Sequence, residues 1–279
     1  MASSTLITQI NNLIQNIKLE KGKIISLLCE NQEICFQVFN QFKNAYISQR
    51  NFFFFANFFS FDPSFKVKDI IKFLTLSYNV KDETLYYKLI SNFSINLNKK
   101  YEELSLTEKI LVSLCCLLIT DYEYYILNIS TFNFNNEFWD LLLKFKEKNK
   151  GCLIISHNPI VIEKISDHVY ISLDFKLIDQ GSPSDLINKY VPKIFVEISH
   201  SSSSKLNDFI EALSRKRGIN IISYDGRVVK LEVDRLQDSL RRIFLSAEQA
   251  DFIINNITLF FPTLNEVYKI IKKEKIWEK

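Results

Sequence analysis

Four short apolar runs limit most strongly what this chain can fold into: "IISLL" at 24–28, "YYILN" at 124–128, "LIIS" at 153–156 and "VYISL" at 169–173. Each is bounded by polar residues and reads as a strand. Between them lie longer helix-period segments, around 34–46, 67–78, 84–95, 105–119, 136–148 and 159–166. Strands alternating with helices predict an α/β domain with a largely parallel sheet over residues 1–190. After "GSPSDLINKYVPK" the pattern changes. "KIFVEIS" (193–199) reads as a strand, "KLNDFIEALSRKRG" as a helix, and "INIISY" with "RVVKLEVD" as a hairpin around Asp225–Gly226. A helix over 236–249, a strand over 252–260 and a helix over 263–275 complete a βαββαβα order. Residues 193–279 are therefore expected to form a second, small α+β domain.

Composition removes several function classes. The formal charge is only +3 and both signs are spread along the chain, so no electrostatic case for nucleic acid arises. The five cysteines, at 29, 35, 115, 116 and 152, have neither metal-ligand spacing nor a disulfide pattern, and read as reduced, buried thiols of a cytosolic protein. The first residues lack the layout of a secretory leader. The longest apolar run, "ILVSLCCLLI" at 110–119, is about half of what a membrane helix needs. Direct insertion into a membrane is thus not expected; if the protein works there, another chain must hold it. Only five glycines occur in 279 residues, poor material for any nucleotide-binding loop.

The stretch "KGKIISLLCENQEICFQ", from Lys21, has the strand-turn-helix layout of a phosphate-binding loop without its glycines or lysine. It resembles the opening of an ATP-binding cassette (ABC) subunit, typically "KGEIVGLLGPNGAGKTT", without a gap. "ELSLTEKILVSLCCLLITDYEYYILNISTFNFN" (103–135) is similar to the segment in which the family's signature serine and helix lead into a strand ending Asp-Glu-Pro. "LIISHNPIVIEKISDHVYISLDFKLIDQGSPSDLI" (153–187) resembles its switch-histidine segment. "FFFFANFFSFDPSFKVKDIIKFL" (52–74) resembles the glutamine-loop region, and "FFPTLNEVYKII" (260–271) the tail of the type-2 exporter class, which carries a small domain after the cassette. Together these cover nearly the whole chain. The resemblance implies a P-loop NTPase-like cassette, a mixed sheet with an inserted helical subdomain at about 66–118, followed by that small C-terminal domain.

Residue by residue, the resemblance implies lost chemistry. Cys35 stands at the phosphate-binding lysine, Cys29, Gln32 and Ile34 at the loop glycines, and Phe36 at the hydroxyl that ligates Mg²⁺. Asn128 replaces the strand-end Asp and Ile129 the Glu that would activate water. Asn57 sits at the glutamine-loop position and Asn135 at the aspartate beyond the strand. The family stacks adenine on an aromatic from its N-terminal strand region, yet Phe36 is the first aromatic here. Losing two or three charge-assisted hydrogen bonds costs on the order of 5 kcal/mol, several thousand-fold in affinity. No ATP or Mg²⁺ is therefore expected on the chain's own loop, no metal elsewhere, and no ATPase activity. Two positions survive. His157 matches the switch histidine, but without the rest of the site it reads better as a structural histidine capping a strand end. Ser105 matches the signature serine that contacts phosphate in a partner's site, but Leu106 and Thr107 stand where that family normally has a glycine, and it reads better as an ordinary helix N-cap.

Cassettes of this family pair head-to-tail on transmembrane permease subunits. The resemblance accordingly implies an inactive cassette-like subunit of an exporter, cytoplasmic and peripheral on the inner face of the membrane. Its implied partners are a transmembrane permease subunit and another ABC cassette, either a second copy or an active homologue. The Phe-rich segment 52–65 falls where the family docks its membrane subunit, and reads equally as a buried strand and loop. Two alternatives remain open: a soluble adaptor descended from such an ATPase, and a cassette that keeps weak ATP binding in a composite site.

Overall fold

The computed structural model describes residues 2–56, 58–80, 83–132, 136–201, 203–234 and 236–277. They form two compact units, 1–183 and 184–279. The first runs α1 (Ala2–Asn16), β1 (Ile24–Leu28), α2 (Gln32–Tyr46), β2 (Phe52–Phe55), α3 (Val67–Ser77), α4 (Thr84–Asn92), α5 (Leu106–Ile119), β3 (Tyr124–Asn128), α6 (Asn136–Glu147), β4 (Gly151–Ser156), α7 (Pro159–Ile165), β5 (His168–Leu173) and β6 (Lys176–Gly181). α8 (Pro183–Tyr190) follows. The strands form one six-stranded sheet in the order β2-β3-β4-β1-β5-β6, parallel except for β6.

Apolar residues dominate the central strands, interrupted by the buried Ser26 in β1 and Ser172 in β5, because both sheet faces are covered. Ile24, Tyr125, Leu127, Cys152 and Ile154 face a core shared with α3 to α7. Their neighbours Ile25, Leu27, Ile126, Leu153 and Ile155 face a second core under α1 and α2. Gly22 enters β1 with φ 71°, and a Cβ there would meet Asn149 Oδ1 at 2.8 Å, so both backbone and space call for glycine. β5 and β6 are joined by Asp174 and Phe175, both at positive φ (49° and 60°), a tight hairpin turn made without glycine.

The segment between β2 and β3 carries the inserted helices α3, α4 and α5. α5 is buried at every position from Ile110 to Ile119, which explains why its sequence is apolar all round rather than amphipathic. The Phe-rich run before it points inward. Phe52 and Phe54 pack on one core, Phe53 and Phe55 on the other, and Phe58, Phe59 and Phe61 follow onto the latter. Phe52 stacks between Tyr46 and Tyr124 at 5.0 and 5.2 Å. α1 was not anticipated from the sequence, and it stands where the resemblance implies a strand region. Ile10, Leu13, Ile14 and Ile17 recur at helical spacing on its buried side.

The second unit contains β7 (Ile194–His200), α9 (Leu206–Ser214), β8 (Ile219–Tyr224), β9 (Val228–Val233), α10 (Leu236–Gln249), β10 (Ile254–Phe260) and α11 (Leu264–Trp277). Its antiparallel sheet has the order β10-β7-β9-β8, the split βαβ arrangement of ferredoxin-like domains. α9 and α10 cover one face with Phe209, Leu213, Ile243 and Ala247 over Val196, Ile198, Val229 and Leu231. Phe209 stacks on Phe252 with ring centroids 4.1 Å apart. At the β8–β9 turn the Asp225 carboxylate accepts from the backbone N–H groups of Arg227 and Val228, at 2.8 and 2.9 Å, and sets the hairpin.

Candidate functional site

In an open α/β sheet, ligands bind outside the carboxyl ends of the parallel strands. Here that edge is built from the ends of β1, β3 and β4. β1 extends its ladder by one residue, with the Cys29 N–H donating to the Ser156 carbonyl at 2.9 Å. Only Glu30 and Asn31 then separate Cys29 from the helix. Asn31 is extended (φ −155°, ψ 174°), and its side-chain Oδ1 accepts from the Ile34 N–H at 3.0 Å, capping α2. The Cys35 N–H donates to the Asn31 carbonyl at 3.2 Å, the first helical bond. Residues 32–36 are thus helical throughout. A phosphate cradle needs backbone N–H groups left open to the ligand. Those of Ile34 and Cys35 are taken by Asn31.

The side chains of this turn are equally committed. Cys29 and Cys35 are fully buried and share a core with Val38, Phe39 and Phe42. The Cys35 thiol beside it, and then burial, push the Cys29 thiol well above the ordinary range, so it stays neutral. Glu30 accepts from the Asp174 N–H at 2.9 Å, tying the β5–β6 hairpin to the turn. Glu33 occupies the first turn of α2. The cap region therefore carries two carboxylates and no cation where the resemblance would set a lysine. Ile34 leans on the core beneath α1 and α2, and Phe36 is half-buried.

At the end of β3, Asn128 is buried, and its Oδ1 accepts from the Ser130 N–H at 3.1 Å. Ile129 is also buried; its N–H donates to the Ile155 carbonyl at 3.0 Å while its side chain joins the core under α5 to α7. At the end of β4, the Ser156 hydroxyl accepts from the Asn158 N–H at 3.2 Å, and Asn158 Oδ1 accepts from Ile160 and Val161 at 3.1 and 3.4 Å. With Pro159 at its first position, α7 is capped in a way that "HNP" announces. A pocket of about 320 Å³ opens between these strand ends, lined by Gln32, residues 129–132, residues 156–158 and Val161.

Of the sequence-predicted positions, Gln32, Ile129 and His157 meet in this pocket, with Asn128 beside it. Cys29 and Cys35 lie beneath the turn. Ser105 is elsewhere, on the exposed N-terminus of α5. Its hydroxyl accepts from the Glu108 N–H at 3.3 Å while the Glu108 carboxylate accepts from the Ser105 N–H at 2.7 Å, a complete capping box. Lys99 bridges to Glu108 at 2.9 Å. Burial works to raise the Glu108 carboxyl, but the Ser105 N–H and Lys99 outweigh it and hold the group below the usual carboxylate range. Asn57 and Asn135 lie outside the described residues. Sequence reasoning missed Ser130, Ser156 and Asn158 as parts of the site, although "SHN" with a following proline could have marked the last as a cap. Among the described residues no group of His, Cys, Asp or Glu could hold a metal ion, and no helix is long and apolar enough to cross a membrane.

No protein-family model matches the chain, and no curated protein does. Solved structures similar to it include an ATP-binding subunit of an ABC transporter, 14% identical, with a TM-score of 0.48 over 62% of this chain and 84% of that one. Another is cbiO1 from Clostridium perfringens, part of the ABC transporter complex cbiONQ, 18% identical, with a TM-score of 0.44 over 63% and 87%. A third is the ADP conformation of MJ1267, an ATP-binding cassette of an ABC transporter, 13% identical, with a TM-score of 0.46 over 63% and 86%.

Proposed function

We propose that this chain is a catalytically inactive cassette-like subunit of an exporter, a structural or regulatory partner of a transmembrane permease subunit and of a second cassette. It would sit in the cytoplasm, peripheral on the inner face of the membrane. The observation that carries the reading is the turn after β1. Asn31 starts α2 early and takes the N–H groups of Ile34 and Cys35, while Cys35 turns its thiol into the core. A triphosphate there would face Glu30 and Glu33 with no cation to neutralise it. Ile129 can neither accept a proton nor orient water. Neither ATP nor Mg²⁺ fits, and no hydrolytic step is assigned to this chain.

Ser105 supports the same reading for a partner's site. Its hydroxyl is engaged by the cap, and the Glu108 carboxylate beside it would repel a phosphate. The docking surface moves from the Phe-rich run, whose rings fill the core, to α3, where Phe73 and Leu76 are 61% and 69% exposed. Residues of that size left open three positions apart on one helix suit a helical partner segment.

The test is affinity purification of the tagged chain from gently solubilised cells of its native host. The expected result is a co-purifying integral membrane protein, lost with Phe73→Ser and Leu76→Ser combined. Recovery without any membrane protein would leave a soluble adaptor in its place.

A further inference from the structure

In the second unit, a depression of about 420 Å³ is lined by Arg217, Gly218, Asp234, Asp238, Ser239 and Arg242. Three elements fix it. β8 starts just beyond Gly218, β9 ends just before Asp234, and the Asp234 N–H donates to the Gly218 carbonyl at 3.1 Å, which sets the two positions side by side. α10 contributes Asp238, Ser239 and Arg242, and Arg242 Nη1 donates to the Arg217 carbonyl. Gly218 keeps the middle open. Its φ is 78°, and a Cβ there would stand 3.4 Å from Asp234 Oδ2 and 3.6 Å from Arg242 Nη1. A carboxylate and a guanidinium thus border the space that a side chain would take.

Four charged side chains open onto this depression, yet among the described residues none of them forms an ion pair. Lys193, which acts on Asp234 from a distance, is itself bonded to Glu232 at 3.0 Å. Two guanidiniums and two carboxylates select by charge. A bare anion would meet Asp234 and Asp238, a bare cation Arg217 and Arg242, and each would be repelled by half of the lining. A zwitterion gives both signs a partner: a guanidinium holds a carboxylate by parallel N–H bonds, and an ammonium offers three donors to carboxylate oxygens. Arg242 Nη1 and Asp234 Oδ2 both lie within 3.6 Å of one point, close enough for a carboxylate and an ammonium carried on one carbon. Ser239, 1% exposed, adds a hydroxyl that no hydrogen bond occupies among the described residues. We propose that this depression binds a free α-amino acid by its zwitterionic end, the carboxylate on Arg242 and Arg217 and the ammonium on Asp234 and Asp238. Arg217, Asp234 and Asp238 are exposed, so solvent screens each contact and the affinity is modest. The site lies wholly within the second unit and is independent of the turn after β1.

Saturation-transfer NMR on the full chain, with pools of the L-amino acids as probes and acetate and methylammonium as single-charge controls, tests this. At least one amino acid should give saturable transfer in the millimolar range or below. Its N-acetyl and carboxamide derivatives, each lacking one charge, should give none. Asp234→Asn, a substitution of the same shape at an exposed position, should weaken binding about tenfold, the loss of one charge-assisted hydrogen bond, and Arg242→Gln at least as much. No saturable signal from any amino acid with the wild-type chain overturns the proposal. Binding of acetate or methylammonium as tight as that of the amino acid makes this a simple ion site and overturns it as well, and so does wild-type affinity in both variants.

Discussion

Position 35 is where chemistry and packing compete most directly. A lysine there would offer the charge a phosphate needs, but its side chain would have to enter a core that holds Cys29, Val38, Phe39 and Phe42. We predict that Cys35→Lys costs about 3 kcal/mol or more of stability by burying an unpaired ammonium. The same change should restore no ATP binding, because the Ile34 and Cys35 N–H groups remain taken by Asn31. Urea denaturation and calorimetric titration check the two halves; a near-neutral variant that binds ATP would contradict the geometry. Glu108 gives a pH signature. Its carboxyl is held below the usual range in the folded chain, so its contribution is present above the unfolded value of about 4.3 and is lost as pH falls through the lower folded value. Glu108→Gln keeps the cap's shape without a titrating group. The gap in urea midpoint between wild type and this variant should therefore be widest at neutral pH and close as acidification passes below the usual carboxylate range. A gap independent of pH would mean that Lys99 and the cap do not stabilise the charged form.

At the scale of elements, α1 shows how far a helix can be built from one side. Leu13 is 2% exposed against the core beneath α2, while Ile7 on the same helix is 47% exposed. Leu13→Ala should cost about 2–5 kcal/mol and Ile7→Ala no more than about 0.5 kcal/mol, measured by thermal or chemical unfolding. Equal effects would mean that α1 does not dock where Ile10, Leu13 and Ile14 place it. The central strands were legible from the sequence because burial on two faces leaves short, mostly apolar runs, and β1 and β3 begin and end where those runs do. α1 was not legible: "SSTLITQINNLIQN" spaces its apolar residues among asparagines, and only the core below selects the helix. β2 hid inside a Phe-rich run that an exposed docking segment would equally suit. For the site, the resemblance implied which positions to compare, and the sequence puts Cys35, Asn128 and Ile129 there. It did not tell that Asn31 would start α2 early, since a short polar cap competes with a loop by a single hydrogen bond. That Asn128 Nδ2, Ser130 Oγ and His157 Nδ1 are buried without a hydrogen-bond partner among the described residues emerges only when two strands far apart in the chain are set side by side.

For the whole molecule, parallel strands and inserted helices frame a turn after β1 whose own groups are spent on holding it together. Each commitment there is small, a cap, a first helical bond, a buried thiol and a tethering carboxylate, but they act at one point and in one direction. Phosphate would have to break the cap, unwind the first turn of α2 and approach Glu30 and Glu33 with no cation in return. The measurement that reaches this most directly is the melting temperature of the purified full chain across a Mg-ATP titration into the millimolar range, because any ligand that binds only the folded state must raise it. The account predicts a flat response, the same with and without Mg²⁺. A saturable, Mg²⁺-dependent rise would show that the turn between β1 and α2 opens to a triphosphate and would contradict it.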